Sequence, residues 1–211
     1  SLSVVVDTLD NVPDDAVIIA RRKDAVGTPV PQTSAENLSF NAANTSTNVN
    51  SWFGQVFDNT INGNIASVAF KLRSQGVVSG NMTMDLYQST ASSPYIPLGP
   101  AIATSDPIDV ATLPVAPSAG VSTPFIFSTP VALTSGIKYI AVINTSAMTF
   151  GGGGFDRIFV DTDTTNPLPD PGVLQITTAN AGSTWTQITG SDLYFSVVVD
   201  ELSTTPEVIV G

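Results

Sequence analysis

Alternating apolar and polar residues, in short runs separated by turn-forming residues, constrain the fold of this chain more than any other feature. Val68, Phe70 and Leu72 share one face of one such run, and the run at 82–86 repeats the pattern with two methionines and a leucine. Gly, Pro, Asn, Ser and Asp separate the runs at intervals of roughly ten residues. Long amphipathic helical patterns are missing from the sequence. The pattern predicts an all-β protein built as a jelly-roll or Greek-key β-sandwich.

One run near the end of the chain carries apolar residues on both of its faces. Phe195, Val197 and Val199 point to one side, and Val198 points to the other. A strand that is apolar on both faces is typical of the middle of a sheet, where its neighbours cover it. Residues 192–200 are therefore predicted to form a central strand.

The first part of the chain differs in composition from the rest. Residues 1–44 contain a charged, Pro-broken connection that includes Arg21 and Arg22, and they are predicted to form an N-terminal arm with a strand extension. Residues 45–202 form the predicted sandwich domain, and residues 203–211 form a C-terminal tail or short strand. The two arginines would suit an acidic partner, such as another copy of this acidic protein. A solvated turn is the alternative interpretation.

The two ends of the chain nearly repeat each other. Residues 3–9 read SVVVDTL, and residues 196–202 read SVVVDEL. A strand that resembles another strand of its own fold can replace it in a neighbouring copy, which is a simple route to arrays and filaments. Chance similarity, or pairing of both ends within one sheet, is the alternative. The predicted assembly residues in these two segments are Val4, Val5, Val6, Leu9, Val197 and Val199.

Composition excludes several kinds of chemistry. Cysteine and histidine are both absent, which removes disulfides, thiolate metal sites and nucleophiles that depend on a histidine base. The 7 Lys and Arg residues against 18 Asp and Glu residues give a net charge of -11, so nucleic acid would be repelled. No apolar run approaches the roughly 20 residues that a membrane-spanning helix needs. Because only 12% of the residues are charged and 42% are hydrophobic, we expect partners to cover much of the surface.

Two short motifs carry a resemblance to a known class of modules. Residues 53–57 (FGQVF) match an aromatic-x-Gln-x-Phe opening, and residues 133–139 (LTSGIKY) match a Leu-x-x-Gly-x-x-Tyr step. Over about residues 50–200 the chain resembles the jelly-roll β-sandwich modules of secreted bacterial proteins and of bacteriophage virion proteins. The resemblance implies a role in virion decoration, fibres, filaments or carbohydrate binding, and it supplies no catalytic residue.

An acidic cluster lies in and after one predicted strand. Its members are Asp156, Asp161, Asp163 and Asp170, of which Asp161 and Asp163 point to the same side of the strand. Carboxylate oxygens at this spacing could hold calcium. The spacing lacks the Gly and Glu that an EF-hand loop requires, so a solvated turn is the default interpretation. Calcium is the only cofactor that the sequence suggests.

Two aromatic residues are candidates for stacking on sugar rings. Tyr95 lies between a proline and an isoleucine, and Trp185 lies between two threonines, contexts in which a ring can be exposed at a loop edge. Trp52 lies within a predicted strand and is expected in the core. A glycan is therefore a candidate ligand.

These features together favour a non-enzymatic structural protein. We expect it to assemble with copies of itself, or to dock on a capsid or surface protein, at a virion or extracellular surface. A subunit of a secreted filament or surface layer is one alternative, and a carbohydrate-binding module is the other.

Overall fold

The computed structural model describes residues 25–28, 38–41, 52–59, 62–152, 155–163, 173–176, 185–188 and 192–201. These residues form two antiparallel β-sheets that pack face to face, and the chain makes a 3₁₀ turn at Val110–Thr112. The predicted all-β sandwich is therefore confirmed. No helix in the described part of the chain is long and apolar enough to span a membrane.

The described residues form fifteen strands. In chain order they are β1 (Ala25–Thr28), β2 (Leu38–Asn41), β3 (Trp52–Asp58), β4 (Gly63–Gln75), β5 (Val78–Gln88), β6 (Ala103–Thr104), β7 (Ile108–Asp109), β8 (Val121–Leu133), β9 (Lys138–Asn144), β10 (Met148–Phe150), β11 (Arg157–Asp163), β12 (Val173–Ile176), β13 (Trp185–Ile188), β14 (Asp192–Leu193) and β15 (Phe195–Glu201). The first sheet has the order β1, β15, β4, β11 and β14, with β2 also on β11 and β8 on β4. The second sheet has the order β10, β5, β9, β3, β12 and β13, with β6 and β7 on β5.

The core lies between the sheets and is built from the alternating residues of their inner faces. On β4, Val68, Phe70 and Leu72 are completely buried, and so are the two methionines and the leucine that alternate along β5. Phe70 packs edge-on against Phe125 of β8 and obliquely against Phe195 of β15, with ring centroids 6.5 and 6.2 Å apart. Burying a side chain of this size stabilises the fold by about 1.5–3 kcal/mol relative to leaving it exposed.

The predicted central strand over residues 192–200 is confirmed from Phe195 onwards as β15, whereas Asp192 and Leu193 form the separate short strand β14. β15 lies between β1 and β4, and its inner residues Phe195, Val197 and Val199 are 2%, 3% and 1% exposed. Its antiparallel pairing with β4 runs along the whole of β15, with a register shift between Val198 and Val199. The strand therefore contributes both backbone pairing and apolar contacts to the first sheet.

A buried polar contact joins the two sheets. The side-chain amide of Gln55 on β3 donates to Asp192 Oδ1 on β14 at 2.8 Å, and Gln55 Oε1 accepts from the backbone N–H of Leu193 at 2.8 Å. Both polar side chains are almost fully buried. Because a buried polar group needs a partner, this pair fixes which residues of the two sheets face each other.

The turn between β8 and β9 explains the spacing of leucine, glycine and tyrosine in residues 133–139. Leu133 is buried at the end of β8, and Gly136 adopts a positive φ of 80° that few other residues tolerate. The phenol oxygen of Tyr139 then accepts a hydrogen bond from the backbone N–H of Thr134 at 2.9 Å. The motif is thus a turn whose two ends are joined by the hydrogen bond between Thr134 and Tyr139, and it is called the self-closing turn below.

β8 forms one margin of the first sheet and carries features that oppose strand addition. Pro124 and Pro130 lie within it, and a proline has no backbone donor to offer a further strand. The carbonyl of Ile126 already accepts from the backbone N–H of Asp106 at 2.8 Å. These features blunt this margin of the sheet.

Candidate functional site

Without the two short arm strands, the other margin of the first sheet would be formed jointly by β15 and β11. Both strands pair with β4, and at their junction the backbone of Tyr194 bonds to Asp161 on one side and to Lys71 on the other. β1 pairs with residues 197–200 of β15, and β2 pairs with residues 159–162 of β11. Two short strands from the predicted arm therefore pair with this margin.

The predicted assembly residues fall into two groups. Val197 and Val199 lie on the inner face of β15, where both are buried in the core. The remaining predicted assembly residues lie outside the described residues, and they are Val4, Val5, Val6, Leu9, Arg21 and Arg22. Their role stays a prediction.

The outer face of the first sheet carries a row of cations and rings. The ammonium of Lys71 lies 5.1 Å from the ring centroid of Tyr194, and the guanidinium of Arg73 lies 5.0 Å from that of Phe159. The guanidinium of Arg157 lies 5.7 Å from the centroid of the same phenylalanine ring. These contacts hold the long basic side chains against the sheet, because each ring face attracts a cation.

The described members of the predicted calcium cluster have partners within the protein. Asp156 Oδ1 accepts from the backbone N–H of Val77 at 2.7 Å, which supports the turn between β4 and β5. Asp161 is fully buried and forms an ion pair with Arg73 at 3.1 Å. Among the described residues, no group of three acidic side chains could hold a metal ion.

Asp170 and the side chain of Asp163 lie outside the described structure. A calcium site that includes them stays a prediction.

The outer face of the second sheet brings together the two aromatic residues that the sequence singles out. Tyr95 and Trp185 both pack against a cluster that includes Trp52 and Val56 of β3, in which Trp52 is 5% exposed. The expectation that Tyr95 is exposed is wrong, because only 9% of it is accessible and its loop folds onto the sheet. Trp185 is half-buried.

This outer face is concave. Tyr87 lies on β5 and Trp185 on β13, which are separated by four strand spacings, or about 19 Å in a flat sheet. Their ring centroids are nevertheless only 5.8 Å apart, in an edge-to-face arrangement. Because two side chains cover only part of the flat-sheet distance, the sheet must curl. Sheet twist and coiling produce such curvature.

Hydrogen bonds hold the loop that contains Ser93 and Tyr95 against the concave face. Gln187 Oε1 on β13 accepts from the backbone N–H of Tyr95 at 3.0 Å and from the Ser93 hydroxyl at 3.4 Å. The ammonium of Lys138 lies 5.0 Å from the Tyr95 ring centroid and pairs with Asp58 at 2.6 Å. The loop is therefore held by β13 through Gln187 and by β9 through Lys138.

One polar atom in this cluster has no partner among the described residues. The indole Nε1 of Trp52 is buried and has no hydrogen-bond acceptor in the described part of the chain. A buried donor that lacks an acceptor costs about 1–3 kcal/mol of stability.

The fold changes the ionisation of Tyr87. Burial raises its pKa to about 12, and the nearby Asp85 carboxylate adds to the effect. Asp85 itself accepts from the Thr104 hydroxyl and from the Asn144 amide, both at 2.7 Å. Tyr87 therefore loses its proton at a higher pH than a free tyrosine does.

Sequence reasoning missed Tyr87, Gln187 and the role of Trp52. Tyr87 and Gln187 have no local pattern that separates them from ordinary strand residues. Tyr87 meets Trp185, and Gln187 meets Tyr95, only because the sheet curls. The expectation that Trp52 is buried is confirmed, although it lies in the outer cluster rather than between the sheets.

No protein-family model matches the chain, and no curated protein matches it in sequence. The resemblance to jelly-roll modules therefore stays a prediction from two motifs. The all-β sandwich rests on the strand pairing itself.

Proposed function

We propose that this chain is a non-enzymatic structural protein that builds a larger assembly by pairing strands of its N-terminal arm with the sandwich of a neighbouring copy. The margin formed by β15 and β11 is the observation that supports this proposal. Each of these seven-residue strands pairs with four arm residues, 25–28 on β15 and 38–41 on β11. Backbone hydrogen bonds contribute about 0.5–1.5 kcal/mol each, and the arm of another copy supplies them equally well.

The contrast between the two margins of the first sheet supports the direction of pairing. The β8 margin carries Pro124 and Pro130, which remove backbone donors. The β15 and β11 margin carries arm strands along part of its length. Strand addition is therefore expected on the side of β15 and β11.

The match between the ends of the chain adds a second line of support. All three core-facing residues of β15 have apolar counterparts near the first residue of the chain. The aligned pairs are Leu2 with Phe195, Val4 with Val197, and Val6 with Val199. One sandwich has one β15 position, so a second strand with the same pattern suits the sheet of another copy.

The setting proposed for this assembly is a virion surface or an extracellular surface. The partner is a further copy of the chain, or a capsid or surface protein that accepts the arm. A subunit of a secreted filament or surface layer would use the same joint. Electron microscopy of the native assembly distinguishes a particle surface from a filament.

Crosslinking between copies tests the joint directly, since the chain has no cysteine of its own. Gly27 and Val198 are register partners in the pairing of β1 with β15. Opposite residues of an antiparallel pair lie about 4.5–5.5 Å apart at Cα, within the range of a disulfide. We expect a mixture of the single variants Gly27→Cys and Val198→Cys to form a disulfide between two chains upon oxidation.

A matched control uses the same face of β15 with the register displaced by two residues. Gly27→Cys mixed with Ser196→Cys is expected to crosslink much less, because Ser196 does not lie opposite position 27. Deletion of residues 1–12, followed by sizing chromatography, is expected to abolish large assemblies. The proposal is wrong if the matched mixture gives no interchain disulfide and the deletion leaves assembly size unchanged.

A further inference from the structure

We propose that the acidic arm segment, residues 7–15 (DTLDNVPDD), of one copy docks on the outer face of the first sheet of a neighbouring copy. The receiving surface is the row of cations and rings that includes Lys71, Arg157 and Tyr194. This inference rests on the proposed function, because the arm must reach the neighbouring copy before the segment can dock there. It adds a contact on the sheet face to the pairing at the sheet margin.

The outer face concentrates positive charge in an otherwise acidic chain. Lys71 and Arg73 lie on β4 and Arg157 lies on β11, and they are three of the 7 Lys and Arg residues of a chain with a net charge of -11. Stacking on aromatic rings orients these cations but leaves their charge intact. Among the described side chains of β4 and β11, the only acidic one is Asp161, which is fully buried and paired with Arg73. The face therefore suits an acidic partner.

The acidic arm segment has the composition that this face requires. It contains four aspartates and no Lys or Arg, and no other stretch of nine residues in the chain holds four acidic residues. Leu9 and Val12 lie between the aspartates, so apolar contact with the rings of the face can accompany the charge pairing. Carboxylates bind guanidinium and ammonium groups through charge-assisted hydrogen bonds, which are stronger than neutral ones. Charge complementarity therefore selects this segment of a second copy as the occupant.

The pairing of β1 with β15 brings the segment within reach of the face. β1 begins at Ala25, which lies level with Asn64 of β4 because both pair with the same residue of β15. Lys71 is seven residues further along β4, or about 25 Å away when two strand spacings are included. Residues 16–24, which connect the segment to β1, can span up to about 30 Å when extended. The end of the segment can therefore reach this lysine, and the rest can continue towards Arg157.

Neutralising one cation of the face should weaken assembly. Arg157→Gln removes a charge beside the rings of Phe155 and Phe159, and it is expected to raise the concentration at which the full chain assembles by about fivefold. Lys138→Gln is the matched control, because it removes the same charge from the second sheet, where Lys138 pairs with Asp58. Light scattering at increasing protein concentration measures both thresholds. Equal thresholds for the two variants would count against docking on this face.

Zero-length crosslinking with a water-soluble carbodiimide tests the contact in the full chain. The reagent activates a carboxylate, and a lysine amine in contact with that carboxylate displaces the activated group to give an amide bond and a urea. The chain has three lysines, Lys23, Lys71 and Lys138, so each crosslink can be assigned by peptide mass spectrometry. We expect Lys71 to be joined to an aspartate of the acidic arm segment. In a mixture of isotope-labelled and unlabelled copies, the mass of the crosslinked peptide shows whether it joins two copies.

The ion pair of Lys138 with Asp58 at 2.6 Å provides an internal positive control, because it should crosslink within each copy. A Lys71 crosslink to the acidic arm segment between labelled and unlabelled copies supports the proposal. The same crosslink found only within single copies would overturn both the docking between copies and the proposed exchange of arm strands. If Lys138 crosslinks but Lys71 never joins this segment, the docking alone is wrong, because the disulfide between Gly27→Cys and Val198→Cys reports strand pairing separately.

Discussion

The side-chain amide of Gln55 and the carboxylate of Asp192 are hydrogen-bonded at 2.8 Å between the two sheets of the sandwich, 137 residues apart in the chain. Both side chains are buried, so neither has water as a substitute partner. Gln55 is the polar member of the FGQVF motif. Its role is to connect the sheets.

Replacement of this glutamine is expected to cost more stability than a typical surface substitution. Gln55→Ala removes the buried hydrogen bonds that Gln55 makes to Asp192 and to the Leu193 N–H, and we expect a loss of about 3 kcal/mol in the free energy of unfolding. Urea denaturation measures it. Gln75→Ala, at a half-buried position of β4, is the control and should cost much less. A loss below about 1 kcal/mol for Gln55→Ala would contradict the importance of this contact.

A substitution in the turn at residues 133–139 is expected to cost less unfolding free energy than Gln55→Ala. Tyr139→Phe removes the oxygen that accepts from Thr134 N–H, and we expect a loss of about 1 kcal/mol in unfolding free energy. Thermal and urea unfolding both report it. Tyr194→Phe removes a hydroxyl from a half-buried ring of the outer face. If the two variants are equally stable, the self-closing turn contributes nothing.

The raised pKa of Tyr87 predicts that the protein loses stability at high pH. Its pKa is about 12 in the folded state against 10.0 for the free side chain, so the folded protein keeps a proton that the unfolded chain releases. The stability that depends on the protonated Tyr87 hydroxyl is fully present below pH 10. The free energy of unfolding then falls as the pH rises from 10 towards 12. Because Tyr87 is only half-buried, we expect no more than about 1 kcal/mol.

Spectroscopic titration of tyrosinate formation measures this ionisation. The folded chain should show a late phase near pH 12, and Tyr87→Phe should lack it. Persistence of the late phase in that variant would assign it to another of the four tyrosines.

Calcium removal is expected to leave the stability of the described sandwich unchanged. Asp156 supports the turn at Val77 and Asp161 pairs with Arg73, so both carboxylates already have partners within the protein. Thermal melting with a chelator and with added calcium checks this. A clear rise in melting temperature with calcium would instead support a site that recruits Asp163 and Asp170.

The proposed joint predicts that alternate positions of the N-terminal segment 2–9, which aligns with β15, tolerate charge differently. Val4 aligns with the buried Val197, so Val4→Asp should prevent assembly, because an unpaired buried charge is strongly disfavoured. Ser3 aligns with Ser196 on the opposite face, so Ser3→Asp should assemble more readily. Light scattering during assembly compares the two variants. Equal assembly by both would contradict a joint that repeats the contacts of β15.

The sequence by itself determined the strands and their buried faces. Alternation along β4 and along β15 predicted which residues share a face, because side chains alternate strictly across a strand, and the structure shows that the faces with Phe70, Val197 and Val199 are the buried ones. Glycine at the positive φ of residue 136 followed the same local logic. These features depend on a few neighbouring residues, so a local pattern is sufficient to predict them.

Only the tertiary structure decided which of these residues meet. Tyr95 and Gln187 are 92 residues apart, and their hydrogen bond exists because the second sheet curls until β13 reaches the loop beside β5. The same curvature buries Tyr95, against the expectation from its local sequence. Curvature is the sum of small twists over many strand pairs, so no single segment of the chain encodes it.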